Sequence, residues 1–269
     1  MKVAIYTSVE TSTFNNYNIG ELIYKFPHYE YLFVCVKKRG AQKVINKIKN
    51  DVYELIYGKN QFKEDIAILN TSVKNLTKQY DKKKYDYCEV DDVNDKESEH
   101  ILKQFNPDII LQAGAGILKS NIFSISKIAT LNVHHGFSSE IRGMNSTFWC
   151  LYYGLYDKIG VTCHIIDKGI DTGAVIFQYK YTYNKYDTYI AIQLQLCIEG
   201  AILLTKAMEL LSEKENLKFD SLIVDSYYFS KMDYRYYNQL KKNNFKSIKR
   251  VGDSFVKTEF RKLIYAGEK

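Results

Sequence analysis

Short, almost uniformly apolar runs that recur between longer amphipathic stretches constrain this chain more than any other feature. KVAIYTS (residues 2–8), YEYLFVCV (29–36), PDIILQAGAG (107–116) and the run 129–133 within SISKIATLNVHH have the length of strands. Their lack of a polar face marks strands covered on both sides, as in a parallel sheet. Helical patterns lie between them: around residues 19–24, in AQKVINKIKN (41–50), and in KESEHILKQF (96–105), which follows YDYCEVDDVND. Strands alternating with helices predict an α/β fold with a doubly wound, mostly parallel, Rossmann-like sheet. Ligands of such sheets bind in the crevice beyond the carboxyl ends of the strands. Gly114, Gly116 and residues 132–135 all follow strand ends, so they are expected on one rim.

The remaining segments are read the same way. Residues 51–84 are charged and helical or irregular. NSTFWCLYYG (145–154) starts with a polar cap and continues as an aromatic helix. KIGVTCHIID (158–167) and AVIFQYKY (174–181) are two strands joined by the turn KGIDTG. Residues 186–211 form a long apolar helix, read here as too polar and glycine-interrupted to cross a membrane. From Ser212 the chain turns Tyr-rich and basic, which divides it into a catalytic unit, 1–211, and a C-terminal appendage, 212–269. A chain of 269 residues, 46% hydrophobic, suffices for that arrangement. Its N-terminus reads as a first strand and not as a signal peptide. The five cysteines, Cys35, Cys88, Cys150, Cys163 and Cys197, are odd in number and form no CxxC pair, so reduced thiols in a cytoplasmic setting are expected. The net charge is +7, and from Lys241 onward nine basic residues face three acidic ones. Such a tail is a solvated face or an attractor of an anionic ligand.

Three positions carry candidate chemistry. Asn132 and His134 alternate along an extended segment; an Asn amide donates to a developing oxyanion, and a His exchanges protons near neutral pH. Asp171 lies in a turn flanked by Gly169 and Gly173, where a carboxylate can orient the His or receive a proton from an amine. The adjacent pair His134 and His135 with an Asp also leaves open a metal-dependent hydrolase, and a binding protein without catalysis is a third class.

The segment NVHHGFSSEIRG (132–143) resembles the Asn-x-His…Arg-Gly signature of the folate-dependent formyltransferases, and GVTCHIIDKGIDTGAVI (160–176) is similar to their second motif, which ends in the catalytic Asp. NPDIILQAGAGIL (106–118) looks like the strand and turn of their folate pocket. The resemblance implies Asn132, His134 and Asp171 as the catalytic triad, 10-formyltetrahydrofolate as co-substrate and no metal. It further implies a folate site at Gly114, Gly116, Ile117, Leu118, Gly169, Ile170 and Arg142. Two departures stand out. The family's loop prolines are missing after His134, and SVETSTFN lacks the glycine-rich phosphate loop of the purine-pathway members.

Within that family the run RGMNSTFW (142–149) looks most like the sugar N-formyltransferases, which formylate nucleotide-linked amino sugars for surface polysaccharides such as lipopolysaccharide O-antigen. The resemblance then implies a nucleotide-diphosphate amino sugar as partner, held near Ser8, His135, Asn145, Tyr227 and Tyr228, and a homodimer with neither membrane nor nucleic acid as partner. Tyr227 and Tyr228 would stack on a base, although a core or dimer-interface role explains them equally well. Methionyl-tRNA and phosphoribosylglycinamide formyltransferases are the alternatives. The 58 residues from Ser212 are short for the linker and barrel with which the first of these grips tRNA.

Overall fold

The computed structural model describes residues 1–37, 61–138, 140–213, 226–232 and 234–242. Seven strands form one sheet: β1 (Lys2–Ser8), β2 (Glu30–Val36), β3 (Asp86–Val90), β4 (Ile109–Ala113), β5 (Ala129–His134), β7 (Gly160–Ile165) and β8 (Val175–Lys180). Their spatial order is β3-β2-β1-β4-β5-β7-β8. The first five run parallel; β7 runs antiparallel to β5, and β8, antiparallel to β7, returns to the common direction. Two three-residue strands, β6 (Ile141–Gly143) and β9 (Tyr227–Phe229), pair separately.

The apolar runs sort by alternation. On β1, Val3 and Ile5 enter the larger core, while Ala4 and Tyr6 enter the smaller core on the opposite face. Each is fully buried, which stabilises by about 1.5–3 kcal/mol per large side chain. Helix α1 (Thr13–Lys25) and the long α6 (Tyr189–Glu213) cover the larger-core face; α3 (Lys96–Phe105) and the short α4 (Ser120–Phe123) cover the other. α3 matches the run read from sequence. Asp95 caps its N-terminus by accepting from Ser98 N, and Asn106 closes it in the left-handed region just before Pro107. The helix expected at 41–50 lies outside the described residues. Of the ambiguous stretch 51–84, residues Gln61–Leu76 form a helix, α2.

One reading is corrected. α6 is apolar and long enough to cross a membrane, yet much of it is buried inside the molecule. Gly200, taken as an interruption, allows close approach: a Cβ there would lie 2.9 Å from Val133 Cγ1 on β5. Of the polar residues of α6, Lys206, Ser212 and Glu213 are exposed, while Gln193 and Thr205 are buried.

The described C-terminal residues pack into the larger core. Phe229, Met232, Tyr237 and Leu240 are buried there. Phe229 stacks on Trp149 of α5 (Ser146–Tyr153), with centroids 5.6 Å apart. The last helix, α7 (Tyr234–Lys242), docks on α2, where Asp65 accepts from Tyr237 Oη at 2.5 Å and from Lys241 Nζ at 2.9 Å. The tail beyond residue 242 lies outside the described residues.

Candidate active site

The sheet register brings the site together. β4 and β5 run side by side with Gln112 opposite Asn132, and the antiparallel β7 sets His164 opposite Asn132 on the other side. Alternation then puts Asn132 and His134 two residues apart at the strand end. The β7–β8 turn carries Asp171 back over this rim. Asp171 adopts φ 52°, so the left-handed residue of the KGIDTG turn is the Asp itself and neither of its flanking glycines.

Asp171 connects two histidines. Its Oδ2 lies 3.5 Å from His134 Nδ1 and its Oδ1 3.6 Å from His164 Nε2. Oδ2 also accepts from Gly143 N at 2.9 Å. Burial alone would raise its pKa; the neighbouring His134, the Gly143 amide and His164 outweigh that and hold the carboxylate well below its usual range. Burial lowers the pKa of His134 and outweighs the upward pull of Asp171. The far nitrogen of His134, Nε2, meets Ile141 O at 3.3 Å and Ser146 Oγ at 3.4 Å. One nitrogen therefore faces a carboxylate and the other a carbonyl. A ring so placed has acceptors waiting for both protons of an imidazolium and accepts a proton without rearranging its neighbours.

A cavity of about 140 Å³ opens beside these groups. Asn132, His164 and Asp171 line it, as do Gly116, Ile117, Leu118, Gly169 and Ile170 from the expected folate set. His134 is 8% exposed and stands behind Asp171, off the cavity wall. Ile117 and Ile170 are exposed, and with Leu118 and Ile166 they give the cavity apolar walls, while Gln112 and Lys168 supply polar edges. This lining suits a small flat heterocycle. Arg142 stands beside it: Nη1 lies 3.5 Å from Ile170 O, and its buried Nε has no hydrogen-bond partner among the described residues. Gly114 is set apart, at φ 88° against Asn15 of α1.

The expected acceptor residues spread around the rim. Ser8 ends β1, and its Oγ donates to Glu10 O at 2.7 Å. His135 turns away from Asp171 and lies 3.3 Å from Gln193 Oε1 and edge-on to Phe14. Asn145 is left-handed, φ 55°, and its Oδ1 accepts from Met232 N at 3.0 Å. Tyr227 packs against the larger core, whereas Tyr228 sits opposite Arg142 in the β6–β9 pair. Two residues that sequence reasoning did not single out belong to the constellation, His164 and Ser146. Alternation along β7 puts His164 on the same face as Thr162, and it is the pairing with Asn132 across the sheet that places it at the site. Nothing in the sequence placed the Ser146 hydroxyl near His134.

Comparison with known proteins is consistent with this geometry. The family model described as formyl transferase matches residues 1–209. Methionyl-tRNA formyltransferase of Chlorobium chlorochromatii is 27% identical over 126 residues, 47% of this chain and 40% of the relative. The chain thus spans well under half the length of the curated relatives it matches. A solved sugar N-formyltransferase from a Shewanella species superposes with a TM-score of 0.52 at 14% identity, over 86% of this chain and 76% of that one. Phosphoribosylglycinamide formyltransferase of Bacillus halodurans gives 0.54 at 19% identity, over 82% of this chain and all of that one. At these identities the structural likeness is one of fold. Among the described residues, no group of three or more His, Cys, Asp or Glu is placed to hold a metal.

Proposed function

The chain belongs to the formyl transferase family, and from that premise we propose that it transfers the formyl group of 10-formyltetrahydrofolate to the primary amine of a nucleotide-linked amino sugar. The observation that carries the reaction class is the Asn132–His134–Asp171 cluster on the edge of a cavity with apolar walls. The folate's heterocyclic head would lie between Ile117, Leu118 and Ile170, with Gly116, Gly169 and Arg142 around it, and bound there it supplies an activated formyl carbon. Residues 1–211 form the catalytic unit in this reading, and 212–269 the appendage that serves the acceptor.

The acceptor amine attacks the formyl carbon; a C–N bond forms and the carbonyl electron pair moves to oxygen. Asn132 Nδ2 donates to that oxygen, which stabilises it by about 3–4 kcal/mol when well placed. The attacking nitrogen must then lose a proton. Asp171, ionised and on the cavity wall, takes it and shares it with His134, whose two nitrogens already face acceptors. The same proton is returned to the folate nitrogen as its bond to the formyl carbon breaks.

The sugar acceptor is favoured by the RGMNSTFW run and by the wall that β9 builds beside Arg142, with Tyr228 next to the site. The likeness to methionyl-tRNA formyltransferases favours tRNA as the second reading. A screen separates them: nucleotide-linked 3-amino and 4-amino dideoxysugars, methionyl-tRNA and glycinamide ribonucleotide are each offered with 10-formyltetrahydrofolate, and tetrahydrofolate release is followed. Turnover with an amino sugar is expected. Turnover with methionyl-tRNA and none with any sugar would overturn the assignment.

A further inference from the structure

His164 belongs to none of the three positions that the motif assigns, yet it touches two of them. It is 2% exposed, lines the cavity, and lies 3.2 Å from Asn132 Nδ2 and 3.6 Å from Asp171 Oδ1 through one nitrogen, Nε2. Its other nitrogen, Nδ1, lies 2.9 Å from Ile165 O. A carbonyl can only accept, so Nδ1 carries the proton, and in the neutral ring Nε2 is left with its lone pair. That lone pair faces the Asn132 amide.

We infer that His164 is a positioning residue for formyl transfer, a tautomer-locked acceptor that fixes which way the Asn132 amide faces. An Asn side chain has two nearly isosteric orientations, which present either N–H groups or a carbonyl oxygen. Nε2 accepts one N–H of Asn132, so Nδ2 is the atom on the cavity side, and its second N–H stays free for the oxyanion. The flipped amide would set Oδ1 against the Nε2 lone pair and offer an acceptor where negative charge develops. The inference rests on the proposed formyl transfer, because orientation of Asn132 matters only where charge forms next to it.

The test uses the full-length protein and the variants His164→Ala, His164→Met and His164→Gln. Ala and Met remove the acceptor; Gln restores one, since its Oε1 reaches where Nε2 was. His164→Ala and His164→Met are expected to lower kcat about 100-fold, the scale of a small misplacement in a preorganised site, with the KM for folate changed less than about 3-fold. His164→Gln is expected to recover most of the loss. Full activity in His164→Met, or no recovery in His164→Gln while that variant still binds folate, would overturn the inference. A second readout needs no turnover: long-range proton–nitrogen NMR of the imidazoles should show an unprotonated Nε2 on His164 at neutral pH, perturbed by Asn132→Ala. An Nε2–H tautomer would refute the locked acceptor even if transfer is found. Failure to find any formyl acceptor, with the tautomer as expected, would instead count against the proposed reaction.

Discussion

In the proposed reaction, His134 and Asp171 divide the work of one proton. Burial keeps the imidazole neutral and its neighbours keep the carboxylate ionised, so the pair rests without the proton and, in the proposed reaction, holds it only in passing between the amine and the folate nitrogen. His134→Ala should lower kcat by about 10²–10⁴-fold while folate binding, followed by fluorescence or calorimetry, survives; Asp171→Asn should be equally severe. His135→Ala should do much less, since that ring faces Gln193 and Phe14 instead of the carboxylate. If His135 proves the more damaging position, the catalytic His has been assigned one residue too early. His135 is expected to contribute to acid stability: burial lowers its pKa from 6.5 to about 4. The folded state then binds fewer protons than the unfolded one between these values, so the stability due to the neutral ring is full above pH 6.5 and is lost as pH falls through about 4. His135→Phe, which keeps a ring against Phe14, should shift acid unfolding, followed by circular dichroism, to lower pH; an unchanged midpoint would reject this. Asn132, His134 and Asp171 stood out as candidates by their places on a strand and in a turn, and it was the resemblance to the formyltransferase motifs that joined them. His164 was harder to single out, because one His in a buried alternating strand reads as core until its neighbour across the sheet is known.

The β6–β9 pair links the C-terminal segment to the carboxylate. Gly143 N donates to Asp171, and on its other side β6 is held by β9, with Met144 N donating to Phe229 O at 2.9 Å and Trp149 Nε1 to Ser230 O at 2.9 Å. Gly143 sits at φ 91°, and a Cβ there would lie 2.1 Å from Phe229 O. Gly143→Ala should therefore pry β9 away, and with it the amide that Asp171 accepts. Its kcat should fall by at least 10-fold with a smaller change in the folate KM; unaltered kcat would show that β9 is mere packing. The α7 docking site makes a separate stability prediction. Asp65→Ala leaves Tyr237 Oη and Lys241 Nζ without that acceptor, at a cost of about 1–3 kcal/mol, or roughly 2–4 °C of Tm per kcal/mol in a chain of this size. Calorimetry measures it. None of this C-terminal pairing was visible in the sequence. β1 and α3 announce themselves by period, caps and length, whereas three-residue strands that meet from distant parts of the chain leave no period to read. α6 was judged on composition, and its burial depends on partners that composition does not name.

At the scale of the molecule, one rim of the sheet gathers what β4, β5, β7 and the β7–β8 turn supply, and the excess charge bears on which partners approach it. The net charge of +7 is concentrated beyond Lys241, so any anion approaching the protein feels an attractive field. The two acceptor readings respond to salt in different ways. A nucleotide-linked sugar brings two phosphates and is held also by stacking and by its amine, whereas tRNA binds through many phosphates whose counterions are released. A protein that neutralises 6–10 phosphates loses about 10³–10⁵ in affinity between 50 and 200 mM salt, while a ligand with two phosphates should lose roughly 10-fold or less. The KM of the amino sugar is accordingly expected to rise only modestly over that range, and the folate KM to change little. A steep loss of kcat/KM with the productive acceptor, parallel on a log–log plot to the release of many counterions, would assign the basic C-terminal tail to a polynucleotide and overturn the sugar reading. A shallow slope that persists after the lysines and arginines beyond residue 242 are replaced by Gln would place the tail outside acceptor recognition.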